Sequence, residues 1–198
     1  DISSADGNMV VDIGGGTTDI AIISLNGIVT KSSIKVAGNK FDKAIVKYIG
    51  NRYRILIGEK TAEMAKISIS NVFDPDGSRS MIIKGRHLVR GLPEQLEITD
   101  YDIYEAIIDQ INEIIFAVKS VFESTPPELV GDIYKNGIYL TGGGAMIYGL
   151  DKLISKEIGV PCRVADYPES CVAKGAQAAF KYLDKLLDGF ENVSLYKS

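Results

Sequence analysis

The sequence holds one histidine and two cysteines in 198 residues, and each scarcity removes a class of chemistry. Cys162 and Cys171 cannot supply a disulfide framework, and neither they nor His87 have partners at metal-ligand spacing. Both cysteines stand in apolar-rich stretches, which predicts buried thiols and a reducing, cytoplasmic compartment. His87 lies in a basic, strand-like run and is read as structural. No apolar run approaches the ~20 residues that a bilayer-spanning helix needs. The amino end shows no basic segment leading into an apolar one, the pattern of a secretory leader. Positive charge is short as well: 22 Lys and Arg against 26 Asp and Glu leave −4, no footprint for nucleic acid. The remaining composition, 45% hydrophobic and 24% charged, suits one substantial core with a small appended subdomain.

Three antiparallel strands are predicted in the first forty residues. An apolar run from Met9 ends in Gly14, Gly15 and Gly16, DIAIISL alternates from Asp19 toward an Asn26-Gly27 turn, and IVTKSSIKVAG returns. Helical spacing then begins near Phe41, with Ile45, Tyr48 and Ile49 on the same face. GEKTAEMAKISI predicts a second helix with Thr61 as its cap, and DPDG at 74–77 a turn before two strands, SMIIKGRHLV and PEQLEIT.

Thr99 or Asp100 caps a long amphipathic helix whose apolar face is Ile103, Ile107, Ile111, Ile114, Val118 and Phe122. Thr125-Pro126-Pro127-Glu128 opens another helix, ending near Asn136-Gly137. Residues 137–166 read strand, glycine loop, helix, strand, a unit that makes its two strands parallel. A last helix is predicted from about Glu169 to Leu187, with Val172, Ala176, Phe180, Leu183 and Leu187 on one face. The sheet pieces at both ends assign 1–38 and 101–187 to a large subdomain and 39–100 to an inserted smaller one, with 188–198 a loose tail.

The two glycine runs carry the chemistry. At Gly14, Gly15 and Gly16 the backbone can approach a ligand closely, and successive N–H groups can converge into an anion nest. Asp12 at the strand end suits the water shell of a magnesium ion, and Thr17 and Thr18 add hydroxyls. The second run, Thr141-Gly142-Gly143-Gly144-Ala145, leaves a strand and opens a helix, where small residues admit a phosphate or planar group. Either run alone reads equally well as a plain glycine turn. Two of them at strand ends of one sheet propose a nucleotide clasped between loops. A dinucleotide fold fits poorly, because the first run leads into a second strand, and neither run continues as Gly-Lys-Ser/Thr.

VVDIGGGTTDIAIIS, IVTKSSIKVAGNKFD, GEKTAE, IKGRHLVRGLP, TPPEL, LTGGGA and CVAKGA together resemble the MreB/Mbl bacterial actin homologues, the rod-shape-determining family, from residue 7 to about 185. The resemblance implies an actin-like ATPase fold of the ribonuclease H-like class, a mixed sheet flanked by helices with an inserted α+β subdomain. It also implies an ATP-binding cytoskeletal protein that polymerises and sets cell shape by organising cell-wall synthesis. ATP and Mg2+ are then the cofactors. The partners are further copies of itself and the cell-wall machinery, with membrane association through a first domain, at the inner face of the cell membrane. Asp12, Gly14, Gly15, Gly16 and Thr17 match the family's second phosphate loop, and Gly142, Gly143, Gly144, Ala145 and Met146 its adenosine loop. Glu63 and Lys66 match a Glu-x-x-Lys pair that meets the nucleoside; by spacing alone they read as a surface ion pair worth about 0.2–0.5 kcal/mol.

Nothing here matches the family's other phosphate hairpin or its water-positioning carboxylate. The chain is therefore expected to be a carboxyl-terminal half whose last helix crosses to the first domain. Alone it is expected to bind ATP weakly and to hydrolyse it negligibly, with no catalytic residue of its own, while the full-length protein is a slow ATPase. Alternatives are another phosphotransferase or chaperone ATPase domain of the actin superfamily, or a nucleotide-independent interaction module.

Overall fold

The computed structural model describes residues 6–25 and 27–180. The chain opens with β1 (Asn8–Ile13), β2 (Thr18–Ser24) and β3 (Gly27–Ile34), followed by α1 (Gly38–Tyr53), β4 (Ile55–Leu56) and α2 (Glu59–Ile69). A hairpin, β5 (Ser80–His87) and β6 (Pro93–Thr99), leads into α3 (Asp100–Glu123) and α4 (Pro127–Asn136). Then come β7 (Ile138–Thr141), α5 (Leu150–Ile158), β8 (Cys162–Val164) and α6 (Cys171–Phe180). Single 3-10 turns occupy Gly143–Met146 and Pro168–Ser170.

The main sheet has the order β3-β2-β1-β7-β8: antiparallel from β3 to β1, then parallel through β7 to β8. This is the mixed sheet anticipated from the sequence. Met9, Val11 and Ile13 are fully buried by their alternation along β1, and Ile20 and Ile22 continue the layer on β2. On α3, Ile103, Ile107, Ile111, Ile114 and Val118 are fully buried and the helix packs against β2 and β3. Asp102 accepts from the Thr99 backbone N–H at 3.0 Å and so closes the first turn of α3. No helix among the described residues is long and apolar enough to cross a membrane.

A second sheet, β4-β5-β6, is wholly antiparallel and forms one unit with α1 and α2. Polar contacts fasten this unit to α3. Asp102 Oδ1 accepts from the Tyr53 hydroxyl at 2.6 Å and the Tyr48 hydroxyl at 3.4 Å. Burial, then the nearby Asp102 charge, pushes the Tyr48 phenol up to about 12. A backbone bond from Val72 N to Tyr148 O at 3.0 Å ties the end of α2 to the segment before α5.

Several expectations require correction. α2 starts at Glu59 with Gly58 as its cap residue, so Thr61 lies inside the first turn and is not the cap. The second glycine run opens a 3-10 turn, and the α-helix waits until Leu150, because Gly149 adopts φ +81° between them. On α3 Val121 takes the buried seat and Phe122 is only partly buried. Neither cysteine is buried; both are intermediate in exposure. Cys162 is nonetheless shielded enough that burial pushes its thiol up to about 12. The two-residue β4 was not anticipated. Of the last helix, Val172 is 66% exposed. Leu183, Leu187 and the tail, like Asn26, lie outside the described residues. His87 closes the β5–β6 turn: its Nδ1 accepts from the Val89 and Arg90 N–H groups at 3.1 and 3.2 Å.

Candidate functional site

The β1–β2 connection is a four-residue loop, 14–17, since Ile13 pairs directly with Thr18. Gly14 N donates to Thr17 O at 3.0 Å and draws the loop tight. Three of the loop's four carbonyls are engaged: Thr17 O as just described, Gly14 O by Gly38 N at 3.1 Å and Gly15 O by Asn39 N at 2.8 Å. These are two of the amides at the start of α1 that no helical turn can satisfy. Among the described residues, the amides of Gly15, Gly16 and Thr17 have no backbone acceptor. An arch with most of its carbonyls engaged and amides left over can accept an anion.

Asp12 and Thr141 end adjacent parallel strands in register. Thr141 Oγ1 donates to Asp12 Oδ1 at 2.7 Å, and among the described residues no donor reaches Oδ2. Gly142 and Gly144 make this closeness possible. A Cβ on Gly142 would stand 2.3 Å from Ile13 O, and one on Gly144 2.3 Å from Ile13 Cγ2. The second glycine run is thus pressed onto the end of β1.

Between these loops and α2 lie two adjoining cavities. One, of about 220 Å³, is bounded by Lys66, Ile67 and Ser70 on α2 and by Gly143, Met146 and Ile147 opposite. The other, of about 170 Å³, lies between Gly14 and Gly15, the start of α1, Glu63 and Lys66, and Gly143 and Gly144. Lys66, Ile67 and Gly143 line both.

Of the residues singled out in the sequence, Gly14, Gly15, Glu63, Lys66, Gly143, Gly144 and Met146 border these cavities. The others do not line them. Gly16 and Thr17 are exposed at the loop tip, where Thr17 Oγ1 donates to Asp19 Oδ2 at 2.9 Å. Ala145 is buried in the core, Gly142 packs on Ile13, and Asp12 sits behind at the strand end. Glu63 and Lys66 do not form the surface pair that spacing alone suggests. Lys66 is 8% exposed and pairs with Asp42 Oδ1 at 2.7 Å, while Glu63 stays exposed.

Asp42 was missed in the sequence. The available signal was an acidic residue on the buried face of α1, between Phe41 and Ile45. For magnesium, the chain offers one carboxylate here, Asp12, which fits an ion that keeps much of its water shell. Among the described residues no group of three or more His, Cys, Asp or Glu could hold a metal directly.

The family model described as MreB/Mbl protein matches residues 1–188. The cell shape-determining protein Mbl of Bacillus subtilis (strain 168) is 48% identical over 186 residues, covering 94% of this chain and 56% of the relative. The cell shape-determining protein MreB of Escherichia coli (strain K12) is 44% identical over 183 residues, covering 92% and 53%. The chain thus spans about half the length of the curated relatives it matches. The crystal structure of MreB 5 of Spiroplasma citri bound to AMPPNP superposes with a TM-score of 0.90 at 42% identity, over 96% of this chain and 57% of that one. The MamK double helical filament, at 23% identity and a TM-score of 0.67 over 81% and 50%, shares the fold. From its sequence match and its actin-like fold, the chain belongs to the MreB/Mbl family.

Proposed function

We propose that the protein binds ATP with Mg2+ in this cleft, polymerises into filaments with further copies of itself, and sets cell shape by organising cell-wall synthesis. The observation that carries the reading is convergence: two glycine loops and α2, far apart in sequence, border one pair of cavities. The larger cavity, apolar at Ile67, Met146 and Ile147, suits a planar base. The free amides of 15–17 suit phosphate, and Asp12 would hold magnesium through water. When bound, the ion supplies charge neutralisation for the phosphates. A cytoplasmic location at the inner membrane face and partnership with the cell-wall machinery follow from the same reading, supported by relatives titled cell shape-determining proteins.

The test uses the protein as its gene encodes it. A fluorescent ATP analogue should bind in a Mg2+-dependent manner and be displaced by ATP, and sedimentation should pellet more protein with ATP than without. A protein that binds the analogue yet never pellets would point to a soluble phosphotransferase. One that pellets and docks partners without binding nucleotide would be an interaction module.

A further inference from the structure

We propose that the open edge of β3 is a docking site for an extended segment of a partner protein, one with apolar side chains at every second position and an arginine or lysine among them. The segment extends the main sheet beyond β3 and seats its side chains in the groove between β3 and α3. The inference is independent of the nucleotide reading above.

The main sheet ends on one side at β8, three residues long, and on the other at β3, eight residues long. An edge strand presents a row of N–H and C=O groups without a neighbour, and edges are ordinarily blunted by shortness, proline, charge or a bulge. β8 is short. β6, at the edge of the smaller sheet, begins with Pro93 and carries Glu94 and Glu97. β3 has neither proline nor an acidic residue. Its register with β2 shifts between Ile22 and Ile23, which kinks the end at 27–29. From Thr30 to Ile34 the pairing is regular, and among the described residues no backbone group from elsewhere bonds to the open side. Lys31, the one charge on β3, lies by alternation on the face away from α3, because Ser32 and Ile34 face the helix.

Beside that regular stretch lies a groove of about 530 Å³, bounded by Ser32 and Ile34 on β3 and by Asp109, Asn112, Glu113 and Phe116 on α3. Ile34 and Phe116, the latter 74% exposed, give it apolar walls, so an apolar side chain entering it leaves water. Charge then selects the partner. Among the described residues Asp109 forms no ion pair, and Glu113 meets only Lys40, at 4.0 Å. An acidic segment is repelled there, and an arginine or lysine is drawn to Asp109. Main-chain bonds to 30–34 supply affinity, and the alternating side chains supply choice.

The experiment titrates the gene-length protein, free of nucleotide, with the synthetic peptide Thr-Arg-Thr-Val-Thr-Phe-Thr and follows backbone amide NMR signals. Its arginine, valine and phenylalanine share one face of a strand. Saturable shifts centred on residues 30–34 and 112–117 are expected. N-methylation of the peptide's pairing amides should weaken binding about tenfold or more, since several main-chain bonds are lost together. Exchanging its arginine for glutamate should weaken binding about two- to fivefold, the range of one exposed ion pair. Asp109→Lys, at an exposed helix position, should reverse that preference. No binding, shifts confined to other residues, an N-methylated peptide that binds equally, or a charge preference that Asp109→Lys leaves unchanged overturns the proposal. Shifts at 30–34 that grow with protein concentration and ignore the peptide identify a second copy as the occupant, and overturn it as well.

Discussion

Thr141 donates a 2.7 Å hydrogen bond to Asp12 where two parallel strands end side by side. The bond joins the two glycine loops at their roots, so the position of one depends on the other. Thr141 is 8% exposed, and replacing its hydroxyl by a methyl strands one oxygen of Asp12. Thr141→Val should therefore lower unfolding free energy by about 1–2 kcal/mol, toward the low end for a bond to a charged group because Asp12 keeps some access to water. Urea denaturation with an unchanged m-value checks this. Thr141→Ser, which restores the donor, should lose much less; equal losses would show that the bond is not the cause.

The glycines of the second run are not equivalent. At Gly144 an added Cβ meets Ile13 Cγ2 at 2.3 Å, whereas at Gly143 it meets nothing within 4 Å. Gly144→Ala should cost about 1–3 kcal/mol through overpacking against β1. Gly143→Ala should stay within about 0.5 kcal/mol of the parent. Thermal unfolding of the pair distinguishes them, and similar melting temperatures would contradict the packing described.

Alkaline stability follows from Tyr48 and Cys162. Burial comes first among the causes for each, and each is pushed up to about 12 from ordinary values of 10.0 and 9.0. Both groups hold their protons more tightly folded than unfolded. Their contribution is complete below the ordinary values and is lost as pH rises from about 9 toward 12. The urea midpoint should fall across that window, and Tyr48→Phe with Cys162→Ala should make the fall shallower. An identical slope in wild type and variant would contradict the assignment.

Much of the fold can be read locally. β1 and β2 alternate with period two, α3 repeats isoleucine at helical spacing, and Pro127 sits in the first turn of α4, as sequence patterning predicts. The exceptions share a cause in tertiary contact. β4 is two residues long and exists because Ile55 and Leu56 pair with His87 and Arg86. Thr61 has the side chain of a cap, but the backbone turns at Gly58, whose carbonyl accepts from Thr61 N at 3.0 Å.

The site divides in the same way. Glycine runs at strand ends are visible in a string of letters, and so is the spacing of Glu63 and Lys66. Where Lys66 points is not, because Asp42 lies 24 positions away on another helix. Nor does spacing reveal that Ala145 is core while Met146, next to it, is 62% exposed and borders a cavity.

The central claim is that the arch at 14–17 receives phosphate while the cavity beside Ile67 and Met146 receives the base. Backbone amide NMR on the protein, titrated in parallel with Mg2+-ATP and with adenosine, tests it most directly. Adenosine should shift the signals of Ile67, Met146 and Ile147 alone, and ATP should shift these together with Gly15, Gly16 and Thr17. Saturating ATP that leaves the amides of 15–17 unmoved while shifting residues elsewhere would contradict the account.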